Sequence, residues 1–172
     1  MKKGSGTALT LAALAVLALL PGCRGGELTE EERQKLIAEM GEEGRAYQEK
    51  RRRFLESPLC AAGLAYLREA ADALVPGGNP VFSLEPGDYL DAEEAELNAV
   101  PDSAEEWKAF FSRAEAVIQV NFRDFDADGR ALAEGFMARG ISGRLMADEY
   151  NDSEWIMDAA SGEPEYYVRP GV

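Results

Sequence analysis

The chain has 172 residues, a formal net charge of −14 at pH 7 and no histidine. The missing histidine excludes Ser-His and Cys-His catalysis and histidine-bound zinc. The acidity excludes nucleic acid as a partner, because phosphates need Lys and Arg. Hydrophobic residues at 46% and aromatic residues at 9% mark a chain that folds, rather than a disordered acidic tail.

In chain order, Met1-Lys2-Lys3 is a basic start, and residues 7–20 are apolar apart from Thr7 and Thr10. That run is too short to cross a bilayer as a stable helix, which takes roughly 20 apolar residues. A basic start, a short apolar run and small residues at its end form a secretory signal. Residues 1–22 are expected to be the signal, 23–26 a short tether and 27–172 a single α+β domain. The domain is expected to be helical over 27–75, a loop over 76–102, and helix and sheet over 103–172. Loss of Lys2 and Lys3 with the signal takes the net charge from −14 to −16. Such a charge keeps the body of the protein off anionic lipid.

Thr29-Glu30-Glu31-Glu32 is a capping box that opens a helix. Leu36, Ile37, Met40, Tyr47, Phe54 and Leu55 form its apolar stripe, and Gly41 and Gly44 weaken it. The basic run Lys50-Arg51-Arg52-Arg53 suits a helix C-terminus or contact with lipid headgroups. Ser57-Pro58 starts a second helix, with Cys60, Leu64, Leu67, Ala71 and Leu74 on one face. Pro76-Gly77-Gly78-Asn79-Pro80 ends the helical pair. Within the irregular stretch that follows, Val81 to Leu84 reads as a short strand. Ser103 to Glu106 is another capping box, and Trp107, Phe110, Phe111, Ala114 and Val117 share the next helical face.

The period then changes. Ile118, Val120 and Phe122 alternate with Gln119, Asn121 and Arg123, which is a strand pattern. Asp126-Ala127-Asp128-Gly129 reads as a turn, and Arg130 to Met137 fits a returning strand or a helix. Arg144 to Tyr150, Trp155 to Asp158 and Tyr166-Tyr167-Val168 read as further strands. A turn at Asn151-Asp152 separates the first two of these. The expected plan is helices first and an antiparallel β-meander last.

Leu20-Pro21-Gly22-Cys23 resembles the lipobox of bacterial lipoproteins, with Pro21 where a small or β-branched residue is usual. The resemblance covers residues 1–23. It implies a diacylglyceryl thioether on the Cys23 sulfur, cleavage before Cys23 and further acylation, palmitate included. Two or three acyl chains give stable anchoring. Arg24, in place of the Asp that retains lipoproteins in the inner membrane, points to the outer membrane of a Gram-negative cell, on its periplasmic or surface side. With Cys23 lipidated, Cys60 has no partner in the chain and reads as a small buried hydrophobe. Ala104 to Phe111, Asp128 to Gly135 and Trp155 to Tyr166 together resemble the nuclear transport factor 2-like fold, which includes ketosteroid isomerase. That resemblance implies a cone-shaped sheet around an apolar pocket, lined by Trp107, Phe110, Phe111, Phe122, Phe136 and Trp155; the same side chains also suit a filled core. The family's catalytic Tyr and acid have no counterparts placed in this sequence, and catalytic residues stay unknown.

Asp124, Asp126 and Asp128 followed by Gly129 match the opening of a calcium-binding EF-hand loop. Gly135 stands where the loop's bidentate Glu belongs, so a turn is the better reading and no metal or cofactor is expected. Three functions remain: a non-enzymatic binding or assembly module that meets another envelope protein, a small-ligand binder or enzyme with a cone-fold pocket, and a calcium-responsive lipoprotein. Isothermal titration with calcium should give no affinity tighter than about millimolar. Micromolar binding that vanishes in Asp126→Ala would reinstate the calcium loop.

Overall fold

A computed structural model describes residues 29–39, 41–121, 125–147 and 153–168, and it divides into two compact units, residues 1–48 and 49–172. Cys23, Met40, Phe122, Asp124 and the Asn151-Asp152 turn lie outside the described residues, as do the side chains of Leu36 and Ile37.

In the first unit, helix α1 spans Glu30–Glu39. Its capping box forms as expected: Thr29 N donates to Glu32 Oε2 at 2.9 Å and Glu32 N donates to Thr29 Oγ1 at 3.3 Å. The bond from the Thr29 backbone, then that from its hydroxyl, holds the Glu32 carboxyl below its usual range. Helix α2 spans Gly41–Leu55. Gly41 has φ +76°, a left-handed value that glycine adopts at little cost. The helix expected to run through this stretch is therefore two helices.

The second unit begins at Glu49 within α2. Phe54 is fully buried there, whereas Leu55 is exposed. Helix α3 spans Pro58–Leu74, with Pro58 at its first position. Ser57 Oγ accepts from Cys60 N at 3.1 Å and donates to the Phe54 carbonyl at 2.6 Å. Strand β1 (Val81–Glu85) forms where a short strand was expected at Val81 to Leu84, and the rest of the stretch expected as loop contains a 3-10 turn at Gly87–Asp91 and the short helix α4 (Glu94–Leu97). Helix α5 follows at Ala104–Phe111, where Ser103 Oγ accepts from Glu106 N. The Glu106 carboxylate returns a bond to Asp102 N rather than to Ser103 N.

Strands β2 (Glu115–Gln119), β3 (Gly143–Met146), β4 (Ser153–Met157) and β5 (Glu165–Val168) complete the sheet. Pro164 directly precedes β5. The order is β1-β2-β3-β4-β5. Neighbours are antiparallel except β2 and β3, which run parallel with Ala116 opposite Gly143 and Ile118 opposite Leu145.

This α+β sheet departs from expectation in three ways. The expected strand at Ile118 begins earlier, at Glu115, although the alternation holds: Ala116, Ile118 and Val120 are buried, and Gln119 and Asn121 are exposed. The sheet is also mixed rather than a pure antiparallel meander, because Arg130–Ala138 is helix α6 and not a strand. Asp126 to Gly129 is no hairpin turn but part of a wide helical turn, Phe125–Gly129, leading into α6. Gly129 has φ −59° and ψ −44°, right-handed values unlike those of a two-residue hairpin. The reason lies in Leu132, Ala133, Phe136 and Met137, all buried, whose spacing makes one helical stripe. Finally, the sheet is open and not a closed cone, with β1 and β5 as its two edges.

Helices α3 and α6 pack on one face of the sheet, which carries Leu84, Ala116, Ile118, Leu145, Trp155 and Met157, all buried. A Cβ on Gly129 would stand 3.2 Å from Leu145 and 3.5 Å from Trp155, and one on Gly135 would run into Leu74 of α3. The crossover helix is thus pressed against sheet and α3 alike. Leu145→Ala should lower unfolding stability by about 2–5 kcal/mol. Gln119→Ala, on the opposite face, should cost under about 0.5 kcal/mol. Denaturant midpoints at unchanged m-value are the measurement.

Candidate functional site

The expected pocket residues separate into different surroundings. Trp107, Phe110 and Phe111 come together on α5. Trp107 stacks on Tyr66 of α3 at 4.5 Å between centroids, and Tyr66 lies 5.8 Å from Phe111. Phe110 meets Phe111 edge-on at 4.8 Å and Tyr89 at 5.4 Å. Trp155 belongs to a second group, with Phe125 at 5.2 Å and Tyr166 at 5.7 Å. The Arg130 guanidinium carbon lies 5.3 Å from the Trp155 ring centre. Phe136 is fully buried on α6, and Phe122 lies outside the described residues. These separations are ordinary for rings packed on one another. Tyr66 and Tyr89 were not singled out in the sequence. Tyr66 adjoins a visible helical stripe, whereas Tyr89 sits in a segment whose pattern is too short to read.

Of the expected calcium ligands, Asp126 is exposed and Asp128 half-buried on the turn before α6, and Asp124 lies outside the described residues. Among the described residues no group of three or more His, Cys, Asp or Glu side chains is placed to hold a metal ion.

Charge pairing is concentrated around the segment from β1 to α5. Residues 85–106 contain no Lys or Arg, and cations from flanking elements hold them. Lys50 pairs with Asp91, Arg51 with Glu85 at 2.8 Å, and Arg113 with Glu96 at 2.6 Å. Arg113 also lies over the Tyr89 ring at 4.1 Å. Burial pushes the Tyr89 hydroxyl up, with Arg113 opposing. Two members of the basic run at the end of α2, Lys50 and Arg51, thus reach across to the acidic segment. Arg52 instead bonds along its own helix, to Glu49 at 2.7 Å and Glu56 at 2.6 Å. Across the sheet, Glu85 stands directly opposite Glu115, a destabilising like-charge arrangement by itself. Each has its own cation: Arg51 for Glu85, and Arg144 at 2.8 Å for Glu115.

Cys60 is buried at the start of α3 with 1% of its surface exposed. Burial pushes its thiol up to about 11, against a smaller opposing effect of Arg51. It is therefore a neutral thiol at physiological pH and a poor nucleophile, since the thiolate is the reactive form.

Comparison with family models, with curated proteins and with solved structures finds no match to this chain.

The Cys60 thiol has a folded-state pKa above its ordinary value of 9.0. The unfolded chain therefore loses this proton first as pH rises, and the stability it contributes falls between pH 9 and about 11. Cys60→Ala should flatten part of the decline in denaturant midpoint across that window, leaving the part due to Tyr89. An unchanged slope would mean the thiol reaches water.

Proposed function

We propose that this chain is a lipid-anchored cell-envelope protein whose folded part is a non-enzymatic binding or assembly module. The observation that carries this reading is the order of features at the N-terminus: Lys2-Lys3, an apolar run over residues 7–20, then Leu20-Pro21-Gly22-Cys23. Among the described residues no helix is long and apolar enough to cross a membrane, and in this proposal attachment runs through acyl chains on Cys23. Arg24-Gly25-Gly26 then holds the folded part close to the lipid surface. The outer membrane is the favoured destination in a Gram-negative cell. The net charge of −16 after processing follows from the loss of Lys2 and Lys3 from a chain of −14. It turns the body of the protein away from anionic headgroups.

The test is the chemical state of the mature N-terminus. Mass spectrometry of protein from a Gram-negative host should find an acylated Cys23. Cys23→Ser should abolish lipid labelling and leave the chain unprocessed or soluble. A free, unmodified N-terminus at another residue would overturn the anchor.

A further inference from the structure

The face of the sheet turned away from α3 and α6 carries an unusual arrangement. Side chains alternate faces along each strand. With Ala116, Ile118, Leu145 and Trp155 buried inward, their neighbours point outward. Two cross-strand rows result. One runs Ser83, Val117, Arg144, Ile156, Glu165, and the other runs Val81, Gln119, Met146, Glu154, Tyr167. The apolar members alternate between the rows: Val81 on β1, Val117 on β2, Met146 on β3, Ile156 on β4 and Tyr167 on β5. They form one zigzag stripe crossing every strand. Val81 is 64% exposed, Tyr167 48% and Ile156 39%. A solvated sheet face is ordinarily polar, yet on this one Val81, Ile156 and Tyr167 are open to solvent.

Carboxylates flank the stripe. The same face carries Glu85, Glu115, Glu154 and Glu165 against Arg144, with Arg51 reaching Glu85 from α2. By the charges of the described residues, a second copy docked face to face would bring two net-negative surfaces together. An anionic membrane would be repelled likewise. The geometry suits a helix laid across the strands. Neighbouring strands are about 4.8 Å apart, close to the ~5.4 Å of one helical turn, so each strand offers one apolar residue to each turn. Five strands span roughly 19 Å, the length of about 13 helical residues. We propose that this face docks an amphipathic, cationic helix of another protein, with its apolar stripe on Val81, Val117, Met146, Ile156 and Tyr167 and its Lys and Arg side chains toward the flanking carboxylates. The proposal names the partner class for the binding module above and rests on that reading.

The probe is a labelled helical peptide of leucine and lysine with one apolar stripe, titrated by fluorescence anisotropy against the full-length chain in detergent. A scrambled peptide of the same composition is the control. The striped peptide should bind at least about tenfold more tightly than the scrambled one. Ile156→Ser and Tyr167→Ser should each weaken it about tenfold at unchanged melting temperature, and Val81→Ser replaces either variant that fails to fold. Glu165→Gln should weaken binding and lessen its salt dependence. Asp102→Asn, on an acidic residue outside the sheet, should leave it unchanged. Equal binding of the two peptides, or indifference to Ile156→Ser and Tyr167→Ser, would overturn the proposal by reducing it to charge alone. A concentration-dependent dimer abolished by Ile156→Ser would assign the face to a second copy instead. Binding of the Cys23→Ser chain to phosphatidylglycerol vesicles, lost in Ile156→Ser, would assign it to lipid. The two readings fail separately. An unlipidated chain that still binds the peptide loses only its anchor, and a lipidated chain that does not bind it loses only this partner.

Discussion

The architecture of the larger unit turns on how closely β2 and β3 approach each other. At Gly143 the space for a side chain is taken by the Ala116 backbone, whose carbonyl a Cβ would overlap. This contact fixes the register of the one parallel pair, Ala116 opposite Gly143. Two strands running the same way cannot be joined by a tight turn and need a long crossover, usually a helix. The crossover is Phe125–Gly129 followed by α6. Once α6 must return across the sheet, it becomes the cover for Leu145 and Trp155 and the neighbour of α3 through Gly135 and Leu74. Helices α3 and α6 then lie on the face that carries Leu84 and Trp155, and Val81 and Ile156 on the other face stay exposed.

Magnitudes separate what holds this arrangement from what orients it. Truncating a buried Phe costs about 3–5 kcal/mol, and Phe54, Phe110, Phe111, Phe125 and Phe136 are each no more than 1% exposed. The ion pairs around β1 are partly solvated, and such pairs contribute at most about 1 kcal/mol each. Their role is to place a segment that has few apolar contacts of its own. Between Glu85 and Leu97, the buried apolar residues are Pro86, Tyr89, Ala92 and Leu97. Lys50, Arg51 and Arg113 supply the remaining attachment points from elements already held by the core. The opposed Glu85 and Glu115 are tolerable only because Arg51 and Arg144 reach them from different sides.

The parts legible in the sequence were those written in local chemistry. The caps at Thr29, Ser57 and Ser103 mark helix starts because their hydroxyls bond amides three residues on. The alternation around Ile118 reveals a half-buried strand because residues two apart share a face. What failed was written in tertiary contacts. Asp128-Gly129 has the letters of a hairpin turn, and only the packing of Leu132, Phe136 and Met137 decides for helix. The strand at Val81 was legible, but its partner, about thirty-five residues away, was not. The aromatic side chains were found as residues but not as groups, since nothing local tells Trp107 to stack on Tyr66 or Trp155 to meet Tyr166. The apolar stripe on the outer face was invisible for the same reason: each strand contributes a single residue, and only the register aligns them.

The last strand has a consequence for how such molecules behave when crowded. Among the described residues β5 is an edge strand of four residues, exposed throughout and rich in tyrosine, a residue that favours strands, and exposed edges recruit further strands. Proline stands at position 164 and again at 170, with only residues 165–169 between them. Self-propagating stacks of strands need about six or seven residues free of proline. An incoming strand would find too short a ladder to extend, because Pro164 has no N–H to offer. Molecules held side by side on a surface meet one another far more often than molecules in solution. In the anchored state proposed above, two prolines would keep an adhesive edge from becoming the seed of a fibril.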